Sequence, residues 1–259
     1  MTIETDPLMI KIAFALCGLM ALYVYLAGVL NLYGSLSAFF MGLLIILFTD
    51  VFFFMVLLIF LFLTYLVTVW KYDYKRGRGL GEGLRGERGL KNVLSNGVVA
   101  TLVAVLYDPL EGLSPGLASF LFIVAVASAA ADSFASEIGV LSDKVYLITE
   151  PSRRVPPGTD GGISWLGQLS ALLGALLVAI PGLLLLSSST LDIEKHTLPF
   201  DNTVIALIPL FAWVNSQIDS VLGATLQRRG ILGNNGVNLV SIHITVLAAA
   251  LAYTLFMHI

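Results

Sequence analysis

Charge is what this chain has least of. Only 12% of its 259 residues are Asp, Glu, Lys or Arg, while 58% are hydrophobic. Soluble domains carry about 25% charged residues, and halving that fraction leaves too little polar surface to keep so long a chain in water. Cysteine is nearly absent. The single Cys17 lies inside an apolar run, which excludes an internal disulfide and a cysteine-built metal cluster and fits a small core residue. Excess positive charge is missing too: the net charge is −3, so no nucleic-acid partner is expected. Nor is there a basic start. Glu4 and Asp6 lead into the first apolar run, and a removable signal peptide is not expected. Long polar stretches are also lacking, so residues 1–259 are expected to form a single transmembrane domain.

What the chain has in abundance is apolar runs long enough for a hydrocarbon core of roughly 30 Å. The fold expected is all-α, a polytopic integral membrane protein of about eight helices. The spans fall at about Leu8–Leu30, Leu36–Thr49, Val51–Trp70, Lys91–Tyr107, Leu117–Gly139, Ser164–Leu186, Thr203–Leu226 and Val237–Met257. Ser35 to Trp70 as one helix would be roughly 54 Å long, so it is split near Thr49 and Asp50. Basic residues set the orientation. Lys71, Lys75, Arg76, Arg78, Arg85, Arg88 and Lys91 follow the third span; Lys144, Arg153 and Arg154 follow the fifth; Arg228 and Arg229 follow the seventh. Opposite loops carry almost none, Lys195 excepted. Eight spans put every basic loop on the cytoplasmic face of a cell membrane and both termini outside.

Polar groups inside lipid are costly unless partnered or used, and three clusters stand out near the basic side. Asp132 and Glu137 end the fifth span, with Ser128, Asp132 and Ser136 on one helical face. The arrangement suits a cation site, or else a frayed end with solvated acids. Asn215, Asp219, Gly223 and Gln227 form a stripe at four-residue spacing down the seventh span; such a stripe can also join helices by hydrogen bonds. The loop Arg153-Arg154-Val155-Pro156-Pro157-Gly158-Thr159-Asp160-Gly161-Gly162 precedes the sixth span. Glycines allow close backbone approach, arginines supply forked donors for phosphate oxygens, and a helix N-terminus favours anions. Mg²⁺ would link these features, since it joins one or two carboxylates to substrate phosphates; Asp132, Glu137 and Asp219 are its expected ligands. Asn92 and Asn96, with Asn234, Asn235 and Asn238, form a looser amide group that helix capping partly explains. His196, His243 and His258 carry no pattern.

A parallel repeat of helix pairs is suggested by Asp132-Ser133 and Asp219-Ser220, each ending a span and each followed by paired arginines, glycines and a new helix.

The run from Asp132 to Leu141, Arg154 to Ser164, Asp219 to Thr225, Asn235 to Asn238 and Asn92 to Gly97 resembles an integral membrane family that includes the plant phytyl-phosphate kinase. The resemblance covers roughly residues 35–257. Ser133 stands where the family pattern suggests Thr, which keeps the hydroxyl. The resemblance implies conversion of an isoprenoid monophosphate to its diphosphate, with a nucleoside triphosphate such as CTP as donor. The family is distantly similar to dolichol kinases and phosphatidate cytidylyltransferases, which use CTP and a divalent metal.

The expected function is thus a membrane-embedded, Mg²⁺-dependent kinase for phytyl or polyprenyl monophosphates. Asp132, Asp219 and Arg154 are the expected catalytic residues. Phosphate binding falls to Arg153, Arg154, Gly158, Thr159, Asp160, Gly161, Gly162, Asn92, Asn96, Asn235 and Asn238. The partners expected are the lipid phosphate, membrane lipids and a second copy of the chain. The rival readings are a CTP-dependent lipid-phosphate cytidylyltransferase and a transporter or flippase of phosphorylated solutes.

Overall fold

The computed structural model describes residues 7–81, 83–107, 113–187 and 202–257; Glu4, Asp6, Lys195, His196 and His258 lie outside them. Apolar sequence without internal proline gives α1 (Pro7–Leu26), α2 (Leu32–Phe48) and α3 (Val51–Val69). The break between α2 and α3 is chemical. Thr49 Oγ1 turns back to donate to the Ile45 carbonyl at 2.6 Å, and the Asp50 carboxylate caps α3 by accepting from Phe52 N at 2.7 Å. Asn31 caps α2 in the same way, accepting from Gly34 N at 2.9 Å.

A short helix α4 (Tyr72–Gly77) follows, then α5 (Leu90–Val105) and α6 (Pro115–Gly139). After α6 come three short strands, β1 (Val145–Leu147), β2 (Glu150–Val155) and β3 (Gly162–Ile163), in an antiparallel sheet of order β2-β1-β3. Helices α7 (Trp165–Leu186), α8 (Asn202–Leu222) and α9 (Asn234–Met257) complete the described fold, with a π-helical turn over Gly223–Gln227 continuing α8.

Six helices (α1, α3, α6, α7, α8 and α9) are long and apolar enough to cross a membrane; α2 and α5 are shorter apolar helices. The protein is therefore a mostly helical membrane protein. The sheet is the departure from the expected all-α fold. Glu-Pro-Ser-Arg-Arg-Val has no alternation of apolar and polar residues and is exposed through Arg154, so it reads as loop in the sequence.

Helix α6 is the axis of the bundle and packs against α3, α5, α7, α8 and α9. Every residue from Ala118 to Ala131 is buried, as expected of a helix apolar on all sides. Its small residues let neighbours approach closely. At Gly174 of α7, a Cβ would stand 2.9 Å from the Ala130 carbonyl.

Candidate active site

Three helices present polar side chains to one another at two levels. At the deeper level Asn215 of α8 donates through Nδ2 to the Ser128 carbonyl of α6 at 3.3 Å and accepts from Thr245 Oγ1 of α9 at 3.0 Å. One helical turn nearer the sheet, the same faces carry Asp132, Asp219 and Ser241. The Asp132 and Asp219 carboxyls come close enough to share a hydrogen bond. Ser241 Oγ donates to Asp219 Oδ2 at 3.2 Å. The Asn238 amide, oriented by its neighbours, donates to Asp219 Oδ2 at 3.3 Å and to the Asn234 carbonyl at 2.9 Å.

This pair borders a cavity of about 170 Å³. The loop residues Gly158, Thr159, Asp160, Gly161 and Gly162 line it. Gly161 has φ +74°, and a Cβ there would sit 2.3 Å from Ala224 Cβ and 2.6 Å from Ala224 N. Only glycine allows the loop to lie on the π-turn of α8. Gln227 Nε2 adds a bond to Asp160 Oδ1 at 2.9 Å. A π-turn one helical turn after Asp219 is a common accompaniment of functional sites. The loop is less open as a phosphate cradle than its sequence suggests: the Thr159 and Gly162 amides already donate to the Pro156 and Thr159 carbonyls.

Two helix N-termini also face the cavity. Ser164 caps α7, accepting from Gly167 N at 3.0 Å, and Ser164, Gly167 and Gln168 line the wall together with Asn234, the first residue of α9. Helix N-termini carry partial positive charge and favour anions.

Glu137 does not join the acid pair. Five residues after Asp132, it points roughly 140° away around the helix. There it meets Lys75 Nζ at 2.5 Å and accepts from Thr68 Oγ1 at 3.0 Å. The expected three-carboxylate set is thus reduced to Asp132 and Asp219, and among the described residues no group of three His, Cys, Asp or Glu side chains is placed to hold an ion alone. Arg153 and Arg154 are likewise outside the cavity lining. Both project from exposed β2, Arg153 facing Glu150 at 3.6 Å and Arg154 donating to the Asp143 carbonyl at 2.7 Å. Of the amides, Asn238 reaches Asp219. Asn235 instead accepts from Ser95 Oγ at 3.4 Å, while Asn92 and Asn96 line a separate apolar cavity.

Ser241, Gln168 and Arg88 are functional candidates that sequence reasoning passed over. For Ser241 a signal existed, because Asn234, Asn238, Ser241 and Thr245 repeat every three or four residues along α9. Arg88 looked like one more orientation charge. It is 5% exposed, donates through Nη2 to Thr68 Oγ1 at 3.1 Å, and lies within charge–charge reach of Asp132.

The two carboxyls fit a hard divalent cation. Brought together by separate helices in a low-dielectric bundle, both can ionise only with counter-charge at hand, and Ser136, Ser216 and Ser220 line the same cavity.

Residues 15–246 match the family model described as Integral membrane protein DUF92. The chain is 28% identical over 256 residues to "Uncharacterized membrane protein MJ0933" of Methanocaldococcus jannaschii, covering 98% of this chain and 99% of that protein. It is 33% identical to "Protein PGR" of Arabidopsis thaliana over 47% of this chain and 50% of that protein. With "Protein VTE6, chloroplastic" of the same plant, identity is 26% over 70% of this chain and 52% of that protein. The chain spans about half the length of these two plant relatives. No solved structure matches it.

Proposed function

Given that the chain belongs to the Integral membrane protein DUF92 family, we propose that it is a membrane-embedded kinase that phosphorylates an isoprenoid monophosphate. The donor is a nucleoside triphosphate, CTP in this reading. The observation that carries the proposal is the contact between Asp132 and Asp219 at a cavity faced by the N-termini of α7 and α9. Acids beside anion-favouring helix ends suit a metal–phosphate complex better than they suit either partner alone. The family resemblance of the Asp132, Gly158–Gly162 and Asp219 segments supplies the substrate class.

In this reading all eight apolar helices cross the bilayer, the sheet and basic loops lie on the cytoplasmic side, and both termini lie opposite. Asp132 and Asp219 occupy equivalent places in two duplicated helix pairs. The two carboxylates would hold Mg²⁺, which when bound offsets charge on the phosphoryl oxygens. Ser241 and Asn238 hold the Asp219 carboxylate in place from α9. Gly161 seats the loop against α8, and the α7 N-terminus orients donor phosphates. An oxygen of the acceptor phosphate forms the new bond to the terminal phosphorus of the triphosphate, and the bond from that phosphorus to its bridging oxygen breaks. Nucleoside diphosphate leaves. The attacking oxygen is already anionic, so positioning and electrostatics suffice without a general base.

The test is turnover by the purified chain in detergent, offered nucleoside triphosphates and prenyl monophosphates with and without Mg²⁺. Metal-dependent release of nucleoside diphosphate with prenyl diphosphate is expected. Release of pyrophosphate with a nucleotidyl-lipid would make the protein a cytidylyltransferase and overturn the kinase reading.

A further inference from the structure

A second space, with Arg88 in its lining, is bounded by α2, α3 and α5. Its walls are apolar, with Ala38, Met41 and Gly42 on one side and Leu57, Leu58 and Leu61 on another. Polarity is concentrated in Arg88, Asn92 and Asn96, all from the short segment that opens α5. We infer that this slot is the acceptor subsite, taking the first units of the isoprenoid chain with the monophosphate at Arg88, Asn92 and Asn96. The inference rests on the kinase reading above.

Three observations carry it. The first is charge complementarity: Arg88 is buried, lines this slot and lies within charge–charge reach of Asp132 of the other cavity. A phosphate held by Arg88 would share that cation's field with Asp132, and forked guanidinium donors suit phosphate oxygens. The second is an unmet acceptor. Asn96 is 4% exposed, and its Oδ1 makes no hydrogen bond among the described residues, although its Nδ2 donates to the Asn92 carbonyl at 2.8 Å. A protonated oxygen of a phosphate monoester would satisfy it. The third is the shape of the walls. From Phe54 to Leu61 the α3 wall runs about 10 Å, long and apolar enough for a branched hydrocarbon but not for a sugar or a base. The space measures about 60 Å³, roughly the share of two water molecules in the liquid, so a wall must yield. Met41 is the side chain to move. Its Cε lies 2.3 Å from where a Cβ on Gly97 would stand, and a flexible thioether readily changes rotamer.

The experiment uses the full chain in detergent and a benzophenone-bearing geranyl monophosphate as photoprobe, with labelled residues mapped by mass spectrometry. Labelling is expected on 38–42 and 54–61, competed by farnesyl phosphate and not by farnesol or phosphatidate. Ala38→Phe, which adds bulk to an apolar wall of the slot, should cut labelling about tenfold. Arg88→Gln should abolish the preference for phosphate over alcohol. Labelling elsewhere, equal competition by farnesol or phosphatidate, or undiminished labelling of Ala38→Phe overturns the inference. Turnover in the same preparation reports on the kinase reading separately. A labelled slot without turnover supports a prenyl-phosphate site there but sinks the kinase and with it the acceptor role, and turnover with the label elsewhere sinks the subsite alone.

Discussion

The Lys75 ammonium of α4 meets the Glu137 carboxylate of α6 at 2.5 Å, with Lys75 1% and Glu137 11% exposed. Lys75 Nζ also donates to the carbonyls of Val67 at 2.9 Å and Thr68 at 2.7 Å. One side chain thus satisfies the C-terminal end of α3 and the charge on α6, and it ties the short helix to the bundle.

Removing one partner of such a pair strands a buried charge, which costs about 3–5 kcal/mol. Lys75→Met should lower the unfolding temperature in detergent markedly, and the double variant with Glu137→Gln should recover part of the loss. A Lys75→Met protein as stable as the parent would show that the pair contributes nothing to the fold.

The pair also marks the limit of what the sequence disclosed. Helix positions were legible because each apolar run is bounded by a capping residue or a charge, as at Asp50 and Ser164. The meeting of Asp132 and Asp219 was legible because each sits on a polar stripe at four-residue spacing, on helices otherwise apolar. The partner of Glu137 was not, since Lys75 is one of seven basic residues in a segment that looks like a solvated loop. Arg88 was hidden in the same way. Arg153 and Arg154 stand out as forked donors beside a glycine-rich loop, and a β-strand that turns them outward leaves no trace in six residues without alternation.

That outward placement has a consequence for phosphate binding. Arg153→Ala and Arg154→Ala should each leave kcat/KM within about twofold of the parent, as for exposed charges remote from a site. Steady-state kinetics over a nucleotide series checks this. A KM for nucleotide raised tenfold in Arg154→Ala would return that guanidinium to the donor site.

Gly161 should be far less tolerant. Alanine at φ +74° costs about 1–2 kcal/mol in backbone strain, and its Cβ would collide with Ala224. Pushing the loop off α8 misplaces the cavity wall, and the expected loss of turnover is on the order of a hundredfold. Gly230→Ala is the control, because Gly230 has φ +71° with nothing within 4 Å; it should show the strain without the loss of rate. Equal rates in both variants would remove the loop from the site.

The most direct test is Mg²⁺-dependent turnover by Asp132→Asn and Asp219→Asn, each purified as a folded protein and assayed with CTP and geranylgeranyl phosphate. If the two carboxylates act together on one cation, either substitution should lower kcat by about a hundredfold or more, and the double variant should be little worse than the singles. Parental turnover in either single variant would contradict a shared centre between α6 and α8.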